Sequence, residues 1–344
     1  MSKQRIVFII NPISGTGSKE AIPSLIERHI DRERYDAELY FTEYAGHAYE
    51  MATQYKDEGA DMVVAVGGDG TVNEVARGLI DSQTALGIIP CGSGNGLARH
   101  LMLPMNVKGA LDVINTGLVH ELDYGTIDGH PFFCTCGMGF DAFISKKFAD
   151  AGKRGMLTYL ENVLMEGLKY EPETYELTLD GNDTEPYQAF LLSVANASQY
   201  GNDAYIAPQA SMSDGLLDVV IMEPFDIFEA PQVGIELMNK TMDKNSKIRC
   251  FKAKDILIHR KNPGVIHYDG DPIEAGTELH VTIHNKGIKV VVNPMADKKR
   301  RKPNLMQTAF SDLFRDFNTV REEVVTNPVK RVKSINNYIQ SKLS

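Results

Sequence analysis

Three glycine-rich stretches in the first hundred residues have the composition of phosphate-binding loops. They span residues 11–17, 67–71 and 91–96. Each follows a short apolar run rich in β-branched residues and precedes a segment with helical periodicity, so each loop lies at the carboxyl end of a predicted strand. Glycine lets backbone N–H groups approach a polyphosphate, and the following helix N-terminus adds partial positive charge. Three such loops on successive strands predict a nucleotide site at that edge of a parallel sheet.

Polar side chains interrupt these glycines. Asp69 is a candidate for orienting Mg²⁺ or a phosphate-bound water, and Thr71 for capping the next helix while donating to phosphate. Taken alone, the second loop is explained equally well as a tight turn with a helix cap. The third loop also combines glycines with polar residues, and Asn95 is the expected N-cap of the helix that follows it. Asn11 and Thr42, at the ends of the first two strands, would complete a polar rim.

The sequence does not satisfy either of two familiar nucleotide-binding motifs. The segment 15–19 lacks the GxxxxGK[ST] spacing of a P-loop. Residues 137–142 match a relaxed GxGxxA pattern but lie outside the alternating strand–helix unit that a dinucleotide fold requires. The loops therefore belong to neither motif.

The elements that must position the loops alternate from residue 1 to about 125. Such alternation predicts a doubly wound α/β nucleotide domain, with helices on both faces of a parallel sheet. The predicted strands are 5–10, 36–42, 61–66 and 86–89, and the predicted helices lie near 18–29, 47–58, 71–80, 94–102 and 107–115.

From about residue 119 the pattern becomes that of strands joined by turns, which predicts an antiparallel β-sandwich. Helical stretches interrupt it at about 141–168 and 226–241. The expected domains are 1–125, 126–296 and a helical tail at 297–344. The predicted strands are 119–127, 132–138, 174–180, 187–195, 216–222, 248–260, 264–268, 278–285 and 288–292.

Charge divides the chain unevenly. The 344 residues carry a formal net charge of −10, from 36 Lys/Arg and 46 Asp/Glu. Residues 297–344 hold eleven of the basic and five of the acidic residues, a net of +6, which leaves −16 on the rest. An acidic body argues against nucleic acid as a partner. The basic run 298–302 suits an anionic surface, and a solvated linker explains it equally well.

Localisation is expected to be cytoplasmic. The four cysteines form neither a disulfide framework nor a zinc pattern, which favours reduced thiols. The apolar run near the N-terminus has five residues and is too short for a signal peptide or a membrane span. Apolar residues recur at helical spacing in the tail, which predicts amphipathic helices. They would dock on the protein itself or on a second copy as a homodimer, or lie peripherally on the inner membrane face.

At this point the sequence resembles the diacylglycerol kinase catalytic-domain family, which includes sphingosine kinases and bacterial lipid kinases. The resemblance covers about residues 4–295. It rests on motifs that occur in order, namely 11–17, 67–74, 90–98, 137–142, Asn196 with Gly201, 207–210, 214–218 and 269–272. NAD kinases share the GGDGT loop at 67–71 but would not be expected to carry the later motifs.

The resemblance implies ATP-dependent transfer of phosphate to a lipid hydroxyl, with ATP and Mg²⁺ as cofactors and a lipid at a membrane surface as partner. The expected catalytic residues are Asp269 as general base, Asp69 and Asp271. The expected nucleotide-binding residues line the strand ends and loops, namely Asn11, Thr42, Gly67, Gly68, Asp69, Gly70, Thr71, Glu74, Gly92, Ser93, Gly94 and Asn95.

Further positions carry weaker expectations. Asp271 stands where the family usually has Glu, which keeps the carboxylate and shortens its reach. Metal ligands are expected among Asp69, Asp214, Asp218 and Asp271, although Asp214 and Asp218 suit a turn before a strand equally well. Asp141 would face the lipid headgroup and Lys153 or Arg154 would meet phosphate, while helices within 143–168 would house the acyl chain.

Alternatives remain open for the turn and for the function. Taken alone, the Asp269-Gly270 pair predicts a β-turn, which would separate Asp269 from Asp271, whereas an extended segment would point both carboxylates to one side. A soluble NAD-kinase-like enzyme would explain the second loop but not the Asp269-Gly270-Asp271 segment. A catalytically silent lipid-binding module is the alternative without enzymatic activity.

Overall fold

The N-terminal half is a parallel sheet covered by helices. A computed structural model of the chain describes residues 3–15, 20–143, 170–225 and 229–296. Strand β1 pairs in parallel with both β2 and β3, and β3 pairs in parallel with β4. The strands and helices of this half are β1 (Gln4–Ile10), α1 (Ile22–His29), β2 (Tyr35–Phe41), α2 (His47–Asp57), β3 (Met62–Gly67), α3 (Asp69–Leu79), β4 (Ala85–Pro90), α4 (Gly96–His100) and α5 (Val107–Thr116).

The C-terminal half is antiparallel apart from one contact with β4. Its elements are β5 (Val119–Ile127), β6 (His130–Phe132), β7 (Thr135–Gly139), β8 (Glu173–Leu179), β9 (Glu185–Ala189), β10 (Leu191–Ala195), β11 (Leu217–Met222), α6 (Ala230–Asn239), a 3₁₀ turn (Met242–Lys244), β12 (Ile248–Ala253), β13 (Asp255–Arg260), β14 (Gly264–Tyr268), β15 (Asp271–Ala275) and β16 (Glu278–Val291). The fold class is therefore the predicted one, an α/β region followed by an antiparallel β-sandwich region.

Two sheets organise these strands. A ten-stranded sheet runs β2-β1-β3-β4-β16-β13-β8-β9, with β5 paired to β16 and to β6. A six-stranded sheet runs β12-β11-β10-β7-β14-β15. Strand β16 pairs in parallel with β4 at Val290 and Leu86, so the last strand joins the two halves into one continuous sheet.

Several predicted strand limits were wrong. The segment 248–260 is two strands in different sheets, because the chain leaves the six-stranded sheet after Ala253 and enters the larger one at Asp255. Predicted strands 132–138 and 187–195 are also divided. Conversely, 278–285 and 288–292 form the single strand β16, which passes the expected turn at Lys286-Gly287 as a register shift between His284 and Ile288. Strand β15 was missed.

Apolar residues form three core clusters among the described residues, and the one around the parallel sheet also includes residues of the C-terminal half such as Phe133, Ala197 and Val290. The strands β1, β3 and β4 are buried along almost their whole length, as expected of a sheet covered on both faces. In the C-terminal half, residues of the two sheets meet in a second cluster that includes Ile127, Met138, Leu192 and Ile258. The predicted helical tail at 297–344 and most of the predicted helix 141–168 lie outside the described residues. Within them, no helix has the length and apolar character needed to cross a membrane.

Candidate active site

The predicted strand ends meet at one edge of the parallel sheet. The N–H of Asn11 donates to the Val66 carbonyl at 3.0 Å, and that of Cys91 donates to the Gly67 carbonyl at 2.7 Å. The N–H of Thr42 donates to the Ile10 carbonyl at 2.9 Å, which places Thr42 beside Asn11. These hydrogen bonds extend the pairing of the parallel strands by one residue, so the loops begin at the same edge of the sheet.

The second and third loops touch each other through their glycines. A Cβ on Gly92 would lie 2.5 Å from the Gly68 Cα, and a Cβ on Gly68 would lie 3.2 Å from the Gly92 Cα. A Cβ on Gly67 would run into the Thr71 side chain. Gly70 has no atom within 4 Å of such a Cβ. Close approach of backbone to backbone therefore accounts for Gly68 and Gly92, and the Thr71 side chain accounts for Gly67, while Gly70 is exposed.

Asp69 joins the two loops. Its Oδ2 accepts the N–H of Asn95 at 2.7 Å, and its Oδ1 accepts the N–H of Gly96 at 2.6 Å. A Cβ on Gly94 would lie 2.8 Å from Oδ2. Burial raises the pKa of Asp69, while these hydrogen bonds and the charge of Arg99 act in the opposite direction. The carboxylate thus receives the N–H groups at the start of α4, which have no partner within that helix.

The expected helix caps are corrected by the structure. Helix α3 begins at Asp69, so Thr71 lies inside it, where its Oγ1 accepts the Asn11 side-chain amide at 3.0 Å. Asn95 occupies the N-cap position of α4 with a left-handed φ of 53° and makes no capping bond. Its side chain instead closes the third loop by bonding the N–H and the carbonyl of Gly92. Ser93 is exposed.

Glu74 holds a neighbouring helix. Its two carboxylate oxygens accept the N–H groups of Gly46 at 3.0 Å and Ala48 at 3.1 Å, at the N-terminus of α2. An acidic side chain is favourable at that end of a helix. Both oxygens of Glu74 therefore already accept hydrogen bonds from the start of α2. The expected contact of Glu74 with the nucleotide stays a prediction.

Asp269 lies in a β-turn between β14 and β15. Its φ is 48° and that of Gly270 is 92°, the left-handed pair typical of a two-residue Asp-Gly hairpin turn. The turn interpretation is therefore the right one, and Asp271 begins the next strand. Positive φ at Asp269 directs its side chain back toward the start of β7.

Four donors converge on the Asp269 carboxylate. Backbone N–H groups of Phe133, Cys134 and Thr135 donate at 2.8, 2.7 and 3.0 Å. The Asn73 side-chain amide donates at 2.8 Å across a sequence separation of 196 residues. Burial raises the pKa of Asp269, and the four hydrogen bonds oppose that rise. Helix α3, which starts at the second loop, is thereby bonded to the predicted base.

Asp271 is exposed and directly follows the Asp269-Gly270 turn. Although the residue as a whole is exposed, partial desolvation of its carboxyl group and the negative charge of Glu74 raise the pKa of Asp271, while Arg77 and His267 lower it. It therefore faces α3 across the junction of the two halves. Asp69 and Asp271 are the predicted metal ligands that lie at this junction.

Asp214 and Asp218 have a different partner. The Lys252 ammonium lies 2.8 Å from the Asp214 Oδ2 and 3.2 Å from the Asp218 Oδ2. Their expected metal role stays a prediction, and Lys252 argues against it, because its ammonium group occupies the place between the two carboxylates that a cation would take. No cluster of three or more Asp, Glu, His or Cys side chains arranged for a metal occurs among residues 3–15, 20–143, 170–225 and 229–296.

Asp141 lies inside the protein rather than on an open surface. It is 6% exposed, and its Oδ2 accepts the Tyr200 hydroxyl at 2.9 Å and lies 3.2 Å from the His267 Nε2. This burial speaks against its expected contact with a lipid headgroup. Lys153 and Arg154, expected near phosphate, lie outside the described residues, as do the helices expected to house the acyl chain.

Sequence reasoning missed Asn73 and His267. Asn73 lies four residues after Asp69, which is one helical turn, so the helix start was a signal that this side chain points toward the loop edge. His267 lies two residues before Asp269 on one strand, a spacing that puts both on one face only while the strand continues, and the turn removes that rule. Neither pattern indicates which residue elsewhere in the chain the side chain contacts.

Two family descriptions match most of the chain. Residues 5–127 match the diacylglycerol kinase catalytic domain, and residues 134–305 match the YegS C-terminal NAD kinase beta sandwich-like domain. A diacylglycerol kinase of Bacillus subtilis is 26% identical over 277 residues, covering 79% of this chain and 90% of that protein. One of Mycobacterium tuberculosis is 28% identical over 290 residues, covering 78% and 88%.

A relative of greater length extends the comparison. An uncharacterized protein of Synechocystis is 28% identical over 283 residues, and the match covers 78% of this chain but only 62% of that protein. Among solved structures, a putative diacylglycerol kinase from Bacillus anthracis superposes with a TM-score of 0.69 at 23% identity, covering 86% of this chain and 99% of that one. An ATP complex of an Archaeoglobus fulgidus NAD kinase has a TM-score of 0.50 at 11% identity, covering 85% and 95%. At these identities the structural likeness shows the fold.

Proposed function

Because this chain belongs to the diacylglycerol kinase catalytic-domain family, we propose that it transfers the γ-phosphate of ATP to the hydroxyl group of a lipid. The donor phosphates would lie along the second and third loops, and Asp269 would accept the proton of the attacking hydroxyl. The observation that carries the proposal is the 2.8 Å hydrogen bond from Asn73 to Asp269. It connects the helix of the donor loop with the turn that bears the carboxylate.

The loop geometry supports a phosphate at Gly70. Its amide lies in the first turn of α3, where N–H groups have no partner within the helix. Gly70 is exposed, and no atom of the described residues lies within 4 Å of a Cβ added to it. The rigid contact between Gly68 and Gly92 would keep the two loops at a fixed separation. Phosphoryl transfer depends chiefly on such positioning and on charge stabilisation.

Asp269 would act as the base after the substrate hydroxyl has replaced one of its four hydrogen-bond donors. Its four hydrogen bonds use about all the lone pairs that a carboxylate offers. Three donors are backbone groups of one strand start, whereas the Asn73 amide belongs to a side chain. A substrate hydroxyl would replace the Asn73 amide on Oδ2. Its proton would pass to that oxygen as the hydroxyl oxygen bonds to the γ-phosphorus, and the bond from the γ-phosphorus to the bridging oxygen would break to release ADP.

The acidic residues at the junction suit Mg²⁺ shared with substrate. Magnesium bound with nucleotides is usually held by one or two carboxylates together with phosphate oxygens and water, not by an all-protein cage. Asp69 and Asp271 are the carboxylates that would hold it. The ion would neutralise charge on the transferred phosphoryl group.

The acceptor is proposed to reach the site from a membrane, because carrying acyl chains through water costs about 0.8 kcal/mol per CH₂. The basic segment 298–302 and the amphipathic pattern of the tail support peripheral attachment to the inner membrane face. Pairing with a second copy is the alternative use of that tail.

The test is a transfer assay with the purified full-length protein, Mg²⁺ and γ-labelled ATP. Mixed vesicles would present diacylglycerol, a sphingoid base, ceramide or phosphatidylglycerol, and NAD would be offered in a parallel reaction. We expect label in one lipid and none in NAD. Label in NAD alone would support the NAD-kinase-like alternative, and ATP binding without any transfer would contradict the proposed activity.

A further inference from the structure

A buried polar cluster lies behind the Asp269 turn. It consists of Asp141, Tyr200 and His267, of which Asp141 is 6% and His267 1% exposed. The Tyr200 hydroxyl donates to the Asp141 Oδ2 at 2.9 Å. The His267 Nε2 lies 3.2 Å from the same oxygen, without the alignment of a full hydrogen bond. Polar groups are costly to bury, so such a cluster needs a reason in the structure around it.

A glycine makes room for this cluster. Gly137 pairs with His267 across strands β7 and β14. A Cβ on Gly137 would collide with the Asp141 Oδ2 and would lie 2.9 Å from the His267 Nε2. The backbone at Gly137 is in a β-strand with ordinary φ, so the glycine is required by space and not by conformation. The close approach of Asp141 to His267 therefore depends on this position.

The other ring nitrogen of His267 contacts the turn. Its Nδ1 accepts the N–H of Gly270 at 3.3 Å. An accepting Nδ1 requires the proton to be on Nε2, which is the atom that faces Asp141. The negative charge of the Asp141 carboxylate, 3.2 Å from Nε2, favours the tautomer with its proton on that atom, which is the tautomer that the turn needs.

The same cluster reaches the third glycine loop. Tyr200 belongs to a loop whose backbone packs on α4, since a Cβ on Gly96 would lie 2.9 Å from the Tyr200 carbonyl oxygen. Two residues later, the N–H of Asn202 donates to the Gly94 carbonyl at 3.1 Å. A continuous chain of contacts therefore runs from the third loop through Tyr200, Asp141 and His267 to the turn.

We propose that His267 is a positioning residue for the Asp269 turn and that Asp141 orients it. His267 would hold the Gly270 amide so that Asp269 keeps its left-handed backbone and its carboxylate stays at the junction with α3. This assignment rests on the proposed kinase function for its effect on catalysis. It replaces a headgroup contact as the role of Asp141.

Two amide substitutions separate positioning from mere packing. In His267→Asn the side-chain oxygen takes the place of Nδ1 and keeps an acceptor for Gly270, whereas in His267→Gln the amide reaches the place of Nε2 and leaves Gly270 without one. We expect His267→Gln to lower kcat roughly tenfold to a hundredfold, the scale of a small misplacement of a reacting group. His267→Asn should retain kcat within about threefold of the wild type. The KM for ATP should change little in both.

Glycine variants supply a matched pair. Gly137→Ala should displace Asp141 from His267 and reproduce the loss of kcat. Gly276→Ala is the control, because Gly276 lies in the same half, has no positive φ and has no atom within 4 Å of an added Cβ. Thermal unfolding of all variants identifies any that fail to fold. Wild-type kcat in a folded His267→Gln protein would overturn the proposal.

A readout without ATP or lipid keeps the two proposals apart. Imidazole ¹⁵N spectra of the wild-type protein, with His267 assigned by its loss in His267→Asn, should show the proton on Nε2, and Gly137→Ala should disturb that signal. A proton on Nδ1 would overturn the positioning role even if the enzyme is active. Absence of transfer by the wild type, with the expected tautomer present, would contradict the kinase function and leave the turn contact established.

Discussion

Two sites in the molecule each centre on a carboxylate that accepts several N–H groups. The donor corner is formed by the glycine loops around Asp69, and the acceptor corner is formed by the turn at Asp269. Asp69 receives donors from residues 26 and 27 positions away, within one half of the chain. Asp269 receives donors from residues at least 134 positions away, and one of them belongs to the other half. The first corner is a local arrangement, whereas the second exists only once β7, β14 and α3 have come together.

This difference suggests a division of work. Local contacts keep the two loops rigid and leave the Gly70 amide open for a donor phosphate. Long-range contacts bring the acceptor carboxylate to that loop and make its placement depend on how the halves pack. Substitutions in the two corners should therefore affect different measured quantities.

The largest expected effect is on transfer in Asp269→Asn. The amide cannot accept a proton from the acceptor hydroxyl, and loss of a general base typically lowers the rate roughly 10² to 10⁴-fold. ATP affinity, measured by calorimetry, should stay near that of the wild type because the donor corner is intact. Asp214→Asn is the control, because its carboxylate pairs with Lys252 at the surface, and it should keep transfer near that of the wild type. Unchanged turnover in Asp269→Asn would exclude it as the base.

A pH effect is expected where α4 meets the second half. His100 accepts the N–H of Ser198 at 3.0 Å, and burial lowers its pKa from 6.5 to about 4, with a smaller effect of Lys240. The unfolded chain takes up this proton below pH 6.5 while the folded chain does not. His100 therefore contributes full stability above that pH and loses it as the pH falls toward 4, by an amount on the order of 3 kcal/mol.

His100→Asn keeps an acceptor for Ser198 and removes the titrating group. Denaturant unfolding between pH 8 and pH 4 should show a smaller loss of stability in this variant than in the wild type. Parallel curves for the two proteins would show that His100 is not buried uncharged in solution.

Glycine substitutions in the loops should separate stability from ligand binding. Gly92→Ala places a methyl group against Gly68 and should lower the free energy of unfolding by about 1–3 kcal/mol, as overpacking does. Gly70→Ala meets no atom within 4 Å and lies in a helix, so it should leave stability unchanged or raise it by up to about 1 kcal/mol. Chemical denaturation measures both changes.

Gly70→Ala should instead weaken ATP binding, by about tenfold or 1.4 kcal/mol, because its methyl group occupies the open approach to the amide. Equal ATP affinity in Gly70→Ala and the wild type would place the donor phosphate elsewhere.

The smallest expected effect is that of Asp214→Asn. Asp214 is paired with Lys252 at the surface, and exposed ion pairs contribute about 0–1 kcal/mol. The Mg²⁺ concentration that gives half-maximal transfer should not change, whereas Asp69→Asn should raise it. A shift in Asp214→Asn would restore the metal role that Lys252 argues against.

Much of the fold followed from local patterns. The parallel strands β1, β3 and β4 were predicted within one or two residues, because a sheet covered on both faces requires continuous apolar runs. The division of 248–260 and the fusion of 278–292 were not predictable, because both depend on which sheet a segment joins.

The sequence by itself determined the glycine loops, the strand–helix units that bear them and the presence of an Asp-Gly pair in the second half, since these are local matters of residue type and spacing. Tertiary structure alone decided that Asp69 closes the two loops, that Asn73 meets Asp269, and that His267 and Asp141 lie behind the turn. The physical reason is that a hydrogen bond has direction and a range of about 3 Å. Partners separated by many residues come within that range only after strand order and register are set.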